Sequence, residues 1–229
     1  MTESALIIGA GNGLSASLAR LFASEGMTVG LAARNTAKLS GLVDEIGGRA
    51  YGCDASDPDH MERLFQEFEA HSGSPDIMVY NPSARVRGPI SDIDAAATKD
   101  AILVTAYGAF LAAQQSARRM LKRGCGAMLF TGASAGVKGY ALSAPFAMGK
   151  FALRGLCQSL ARELSPQNIH VAHFVIDGGI LDVDRDPPPD DPATQLNPDE
   201  IAKTYLHIAR QDKSAWTWEI ELRPSVETF

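Results

Sequence analysis

The sequence predicts an α/β fold: a doubly wound parallel sheet of about seven strands with helices on both faces, in a single domain spanning 1–229. Three observations predict it. Short apolar runs alternate with longer segments of helical periodicity, the pattern of strands joined by helical crossovers. The first apolar run ends in the glycine-rich stretch Gly9-Ala10-Gly11-Asn12-Gly13, which opens a helical pattern. And 229 residues, 45% of them hydrophobic, supply one sizeable core, with no internal repeat or break in composition to divide two.

Taken in order, the first strand covers 5–8, and the helix after it begins near Gly13 with Leu14, Leu18, Leu21 and Phe22 on one face. A second strand at 28–33 leads to a helix from about Thr36, and a third at 50–53 to a helix from Pro58. The strand at 77–80 precedes a long helix over 93–121, rich in small residues (Ala95, Ala96, Ala97, Ala112, Ala113). After the strand at 127–130, a helix from Ser143 carries Phe146, Gly149, Leu153, Leu156, Leu160 and Leu164 on one stripe and stops before Pro166, which cannot continue it. Strands at 170–176 and 219–222 bracket a helix from Pro198. The stretch 181–197, with Pro187-Pro188-Pro189 and a run of aspartates, is too polar and proline-rich for core. It reads as a solvated loop or as a lid over a neighbouring site.

Charge and cysteine usage exclude several classes. Between Asp182 and Glu200 seven acidic residues face the single base Arg185, which accounts for the whole net charge of −6. No basic stripe remains to bind nucleic acid; Arg118, Arg119, Lys122 and Arg123 sit at a helix end, where cations complement the dipole. No apolar run approaches a membrane span and no signal-peptide layout opens the chain, so a cytoplasmic location is expected. Cys53, Cys125 and Cys157 are odd in number and far apart, which points to reduced thiols rather than a disulfide framework or a metal site.

The turn Gly9-Ala10-Gly11-Asn12-Gly13-Leu14-Ser15 lies where backbone N–H groups at a helix start can cradle a pyrophosphate. The G-x-G-x-x-G spacing fails because Leu14 takes the third glycine position, whereas G-x-x-x-G-x-G fits at Gly9 and Gly13 with the small Ser15 in the last place. At the end of the second strand, Ala33 supplies no carboxylate for a ribose 2′-OH, while Arg34, followed by Asn35, suits a 2′-phosphate and so NADP(H). Asp54, before Ala55, is a candidate acceptor for an adenine amino group or an ordinary turn aspartate.

These pieces resemble the short-chain dehydrogenase/reductase family over nearly the whole chain. Asn81-Pro82-Ser83 after the fourth strand resembles the family's NNAG segment, followed by its Gly-Pro pair at Gly88-Pro89. Tyr107-Gly108-Ala109-Phe110 resembles the middle of its fourth helix. The stretches 128–136, 146–164 and 175–180 resemble its serine strand, its Tyr-Lys helix and the segment holding Gly178 and Ile180. The resemblance implies a Rossmann fold, a nicotinamide cofactor, a small-molecule substrate and a homodimer or homotetramer. It also implies a catalytic Asn, Ser, Tyr and Lys, which fall here on Thr105, Ala133, Phe146 and Lys150. Only Lys150 matches, and in the family that lysine also holds the nicotinamide ribose.

Phenylalanine cannot donate the proton that accompanies hydride transfer, and losing a positioned acid costs about 10²–10⁴-fold. Ser134, Tyr140, Ser143, Lys150 itself or an ordered water are the substitutes. Gly132-Ala133-Ser134-Ala135-Gly136 also matches a hydrolase nucleophile elbow, with Asp177 and His207 in the required order, but an elbow must enter a helix directly and 137–140 reads as loop. Two function classes follow: an NADP(H)-dependent oxidoreductase with a rerouted proton path, or an NADP(H)-binding protein with little or no turnover. Val137, Phe146 and Ile180 favour an apolar ligand, and the acidic loop disfavours a polyanion.

Overall fold

The computed structural model describes residues 2–181 and 192–226. The chain runs β1 (Ser4–Ile8), α1 (Leu14–Ser24), β2 (Thr28–Ala33), α2 (Ser40–Ile46), β3 (Arg49–Gly52), α3 (Pro58–Ser72), β4 (Ile77–Tyr80), α4 (Ala95–Ile102), α5 (Gly108–Arg123), β5 (Gly126–Thr131), α6 (Ala144–Leu164), β6 (Ile169–Ile176), β7 (Gly179–Ile180), β8 (Gln195–Leu196), α7 (Pro198–Ala209) and β9 (Glu219–Leu222). Seven of the strands form one parallel sheet in the order β3-β2-β1-β4-β5-β6-β9. The order reverses between β1 and β4, and the crevice at the carboxyl ends of the strands at such a switch is where ligands bind in open α/β sheets.

Alternation along each strand builds two cores. Leu6 and Ile8 of β1, Met78 and Tyr80 of β4, and Met128 and Phe130 of β5 pack under α3, α5 and α6. Ala5, Ile7, Ile77, Val79, Ala127 and Leu129 face α1 and α7. Phe22, Phe65, Phe68, Phe130 and Phe174 are fully enclosed, and burying such a side chain stabilises by roughly 1.5–3 kcal/mol. Gly30 in β2 is dictated by this packing, since a Cβ there would lie 2.6 Å from the Phe68 ring.

Three departures from the expected elements have local causes. The helix expected from Thr36 begins as a 3-10 turn over Thr36–Leu39, capped by the Asn35 side chain on the Ala37 N–H at 3.0 Å. The long helix expected over 93–121 breaks into α4, a π-helical stretch Leu103–Tyr107 and α5; the Tyr80 hydroxyl bonds the Val104 carbonyl inside the break. Within 181–197, residues 182–191 lie outside the described residues. After them, Pro192–Thr194 forms a 3-10 turn and β8 pairs with β7.

Arg119 and Arg123 at the end of α5 carry structural work: Arg119 pairs with Glu69 at 2.9 Å and Arg123 with Asp76 at 3.0 Å. Cys53 and Cys157 are buried and Cys125 is exposed, all as free thiols. Among the described residues no helix is long and apolar enough to cross a membrane.

Candidate active site

Gly9 leaves β1 at φ +82°, a left-handed conformation that glycine adopts without strain, and a Cβ there would strike the Pro82 nitrogen at 2.6 Å. Its N–H and that of Ala10 both donate to the Ala32 carbonyl at 2.9 Å. The turn is therefore clamped between β2 and the loop after β4. Ser15, buried at the start of α1, donates its hydroxyl to the Gly9 carbonyl at 3.1 Å and accepts from the Asn81 side-chain amide at 2.7 Å. Both polar side chains thus hold the turn in shape, and Leu14 is buried in the core beneath it. No side chain caps α1 and no acidic residue occupies its first turn. Asn12 is exposed, and Gly11 and Gly13 face open space. An uncapped helix start behind an open glycine turn fits an anionic pyrophosphate.

A cleft of about 640 Å³ runs from Gly9 and Ala10 past Arg34, Asn35 and Lys38 to Asp54, Ala55, Asn81, Pro82, Ser83 and Val104. Arg34 and Lys38 make no ion pair among the described residues, which leaves two cations facing the same space. Lys38 was not legible from the sequence as a site residue. The 3-10 turn after β2 brings it to Arg34, and a helix starting at Thr36 was the only signal for that. Asp54 Oδ1 accepts from the Ser56 hydroxyl at 2.7 Å and its N–H at 3.0 Å. These bonds, with Arg34 adding a smaller effect, hold the carboxyl below its ordinary range.

Around the carboxyl end of β5 lie Thr105, Ala133, Phe146 and Lys150, the residues on which the resemblance places the tetrad. Ala133, Ala135 and Phe146 form a small buried apolar cluster. Lys150, one turn after Phe146 on α6, is 2% exposed; its ammonium donates to the Thr131 carbonyl at 2.7 Å and lies 5.8 Å from the Phe146 ring centroid. Burial, reinforced by the nearby Arg85, pushes the Lys150 pKa down to about 7. Thr105, also buried, packs so closely on Gly149 that a Cβ there would lie 3.0 Å from the threonine Cβ. The other candidate hydroxyls stand differently. Tyr140 is exposed, with the Lys138 ammonium 5.6 Å from its ring centroid. Ser134 opens a 3-10 turn over Ser134–Gly136, its carbonyl accepting from Val137 and Lys138. Ser143 is buried at the start of α6.

That short turn does not lead into a helix, since α6 starts only at Ala144. Asp177 pairs with Arg223 at 3.0 Å, and His207 is exposed on α7, so the nucleophile-elbow reading lacks its triad. His170 and His173 are both buried in β6, His173 bonded to Glu219 at 2.9 Å. Gly178, at φ +153°, and Ile180, on β7, follow the end of β6.

The short chain dehydrogenase family model matches residues 3–185. The chain belongs to that family, which binds a nicotinamide cofactor. It is 36% identical to a short-chain dehydrogenase from Rhodopseudomonas palustris, with a TM-score of 0.85 over 97% of this chain and 98% of that one. A metagenomic short-chain oxidoreductase in complex with NADP is 27% identical, with a TM-score of 0.84 and 98% of each chain covered. Among curated relatives, the 3-oxoacyl-acyl-carrier-protein reductase MabA of Mycobacterium tuberculosis is 27% identical over 225 residues, covering 93% of this chain and 88% of that protein.

Proposed function

We propose that this short-chain dehydrogenase is an NADP(H)-dependent oxidoreductase acting on the carbonyl or alcohol of a small, largely apolar molecule, with Lys150 moving the proton that the family tyrosine would move. The observation that carries the reading is a buried lysine bonded to the end of β5, its pKa lowered to about 7, in a fold whose cleft presents Arg34 and Lys38. Gly9, Gly11, Asn12, Gly13, Leu14 and Ser15 would form the pyrophosphate turn, Arg34, Asn35 and Lys38 the 2′-phosphate end, and Asp54 and Ala55 the adenine end. Asn81, Pro82, Ser83, Lys150, Gly178 and Ile180 would line the path to the nicotinamide. When bound, that cofactor supplies or accepts the hydride.

The chain's own part is the proton. An ammonium that is close to half ionised at neutral pH can release a proton to an oxygen beside Phe146 and be reprotonated afterwards. Phe146, Ala133 and Ala135 keep water from the same space. Tyr140, Ser134 and Ser143 are the remaining hydroxyl candidates in the loop between β5 and α6. Turnover of a broad carbonyl panel with NADPH tests the reading, and loss of activity in Tyr140→Phe alone would move the donor from Lys150 to that tyrosine. A protein that binds NADPH but turns nothing over would leave the binding-protein reading, which the missing hydroxyls at 133 and 146 favour.

Cofactor choice is the first expected outcome. NADPH should bind at least several-fold more tightly than NADH by calorimetry. Arg34→Ala and Lys38→Ala should each weaken NADPH, Arg34→Ala by about ten-fold, and leave NADH nearly unchanged. Equal affinities would remove both cations from the assigned role. The second concerns assembly. Ala112 and Ala113 are buried against the sheet, so they do not form an outer face, but Tyr107, Phe110, Met148 and Phe151 expose large apolar side chains around the start of α5 and on α6. A second copy would cover them in a closed homodimer or homotetramer. A monomer by light scattering at micromolar concentration would refute this.

A further inference from the structure

The loop after β4 delivers a second cation to the Phe146–Lys150 site. Thr105 sits in the π-helical stretch and packs on Gly149 of α6; its Oγ1 accepts the Ala84 N–H at 3.2 Å. Fixing Ala84 fixes the next residue, Arg85, whose guanidinium carbon lies 4.3 Å from the Phe146 ring centroid. Lys150 Nζ lies 5.8 Å from the same centroid. Two cations therefore share one aromatic ring at the position where the family places its tyrosine.

No carboxylate among the described residues answers this pair. Asp177 is taken by Arg223 and Lys138, and Glu219 by Arg154 and His173. Desolvation and, after it, the neighbouring Arg87 lower the Arg85 pKa, and Arg85 in turn lowers that of Lys150. Cys157, the other titratable group facing Lys150 from α6, is a buried thiol held well above its usual pKa, so it supplies no negative charge. Attraction to the ring offsets part of the repulsion, yet Arg85, beside a lysine that is itself part-protonated, remains a cation without an anion. An arginine held over an aromatic ring keeps N–H groups for a planar carboxylate partner.

We propose that Arg85 is a specificity-determining residue whose guanidinium, held over Phe146, binds a substrate carboxylate. The substrate class is then an otherwise apolar oxo acid or hydroxy acid carrying one carboxylate, which keeps the apolar walls in use. This rests on the oxidoreductase reading only for the identity of the ligand as substrate. The anion site itself stands on the geometry.

The test is a calorimetric titration of the protein, with and without NADP⁺, using benzoylformate and benzoylpropionate, each against its methyl ester. At least one acid should bind about ten-fold more tightly than its ester or better. Arg85→Gln should abolish that preference with an unchanged melting profile and unchanged NADPH affinity, while Arg85→Lys should keep part of it. Equal binding of acid and ester, no binding of either acid, or a preference that survives Arg85→Gln would overturn the proposal. So would a phenylphosphonate dianion binding more tightly than both acids. NADPH consumption with the same compounds separates the two readings. An acid preference without consumption keeps the anion site and removes the oxidoreductase. Consumption of acid and ester alike, unaltered in Arg85→Gln, does the reverse.

Discussion

Introducing Phe146→Tyr together with Ala133→Ser is expected to raise NADPH-dependent carbonyl reduction by about 10²–10⁴-fold, the range a positioned general acid contributes. Wild type should reduce simple ketones and aldehydes very weakly. Phe146 and Lys150 project from one face of α6 with the ammonium 5.8 Å from the ring centroid, so a phenol at 146 would be created beside a cation that lowers its pKa. Arg85, 4.3 Å from that centroid, acts in the same direction. Ala133 already touches Phe146, so a hydroxyl there would share the space. Each single change should give less than the pair, because the groups act as a unit. The initial rates of the four proteins, read with one ketone panel, decide the matter. Robust wild-type turnover of that panel would sink this account of the missing hydroxyls, and its survival after replacement of Tyr140, Ser134 and Ser143 would leave Lys150 as the donor.

The sheet was legible because its central strands are buried on both faces and read as short apolar runs; β2 and β4 begin and end where the pattern places them, as does the half-buried edge strand β9. The break at Leu103–Tyr107 was not, since the helical pattern continues through it and its partner, Tyr80, lies 24 residues earlier. The same limit hid the contact of Ser15 with Asn81, 66 residues apart, which braces the glycine turn. Arg34 could be read from its place after a strand. Lys38 needed the 3-10 geometry, and Arg85 needed the Ala84–Thr105 bond. Charged side chains in loops carry no periodic signal, so their destination is decided by tertiary contacts.

Replacing Lys150 with methionine is expected to remove turnover while making the protein more stable below neutral pH. Burial lowers the folded-state pKa of Lys150 from 10.5 to about 7. Between those values the unfolded chain holds a proton that the folded protein has released, so wild-type stability rises as pH increases from about 7 to 10.5. Below pH 7 both states are protonated and the full penalty of burying the charge is present, on the order of 5 kcal/mol from the shift. Methionine removes that penalty but forfeits the bond to the Thr131 carbonyl, which costs about 1–3 kcal/mol. The variant should therefore exceed wild type by about 2 kcal/mol or more at pH 6, and the advantage should shrink steadily toward pH 10. His173, whose pKa burial lowers to about 4 with Lys150 adding a smaller effect, contributes its own rise in stability between about pH 4 and 6.5, almost wholly below the pH 6–10 window in which the two proteins are compared. Denaturant unfolding of the two proteins across pH 6–10 measures this directly. A difference independent of pH would show that Lys150 does not titrate in this range, and would take the proton-donor role away from it.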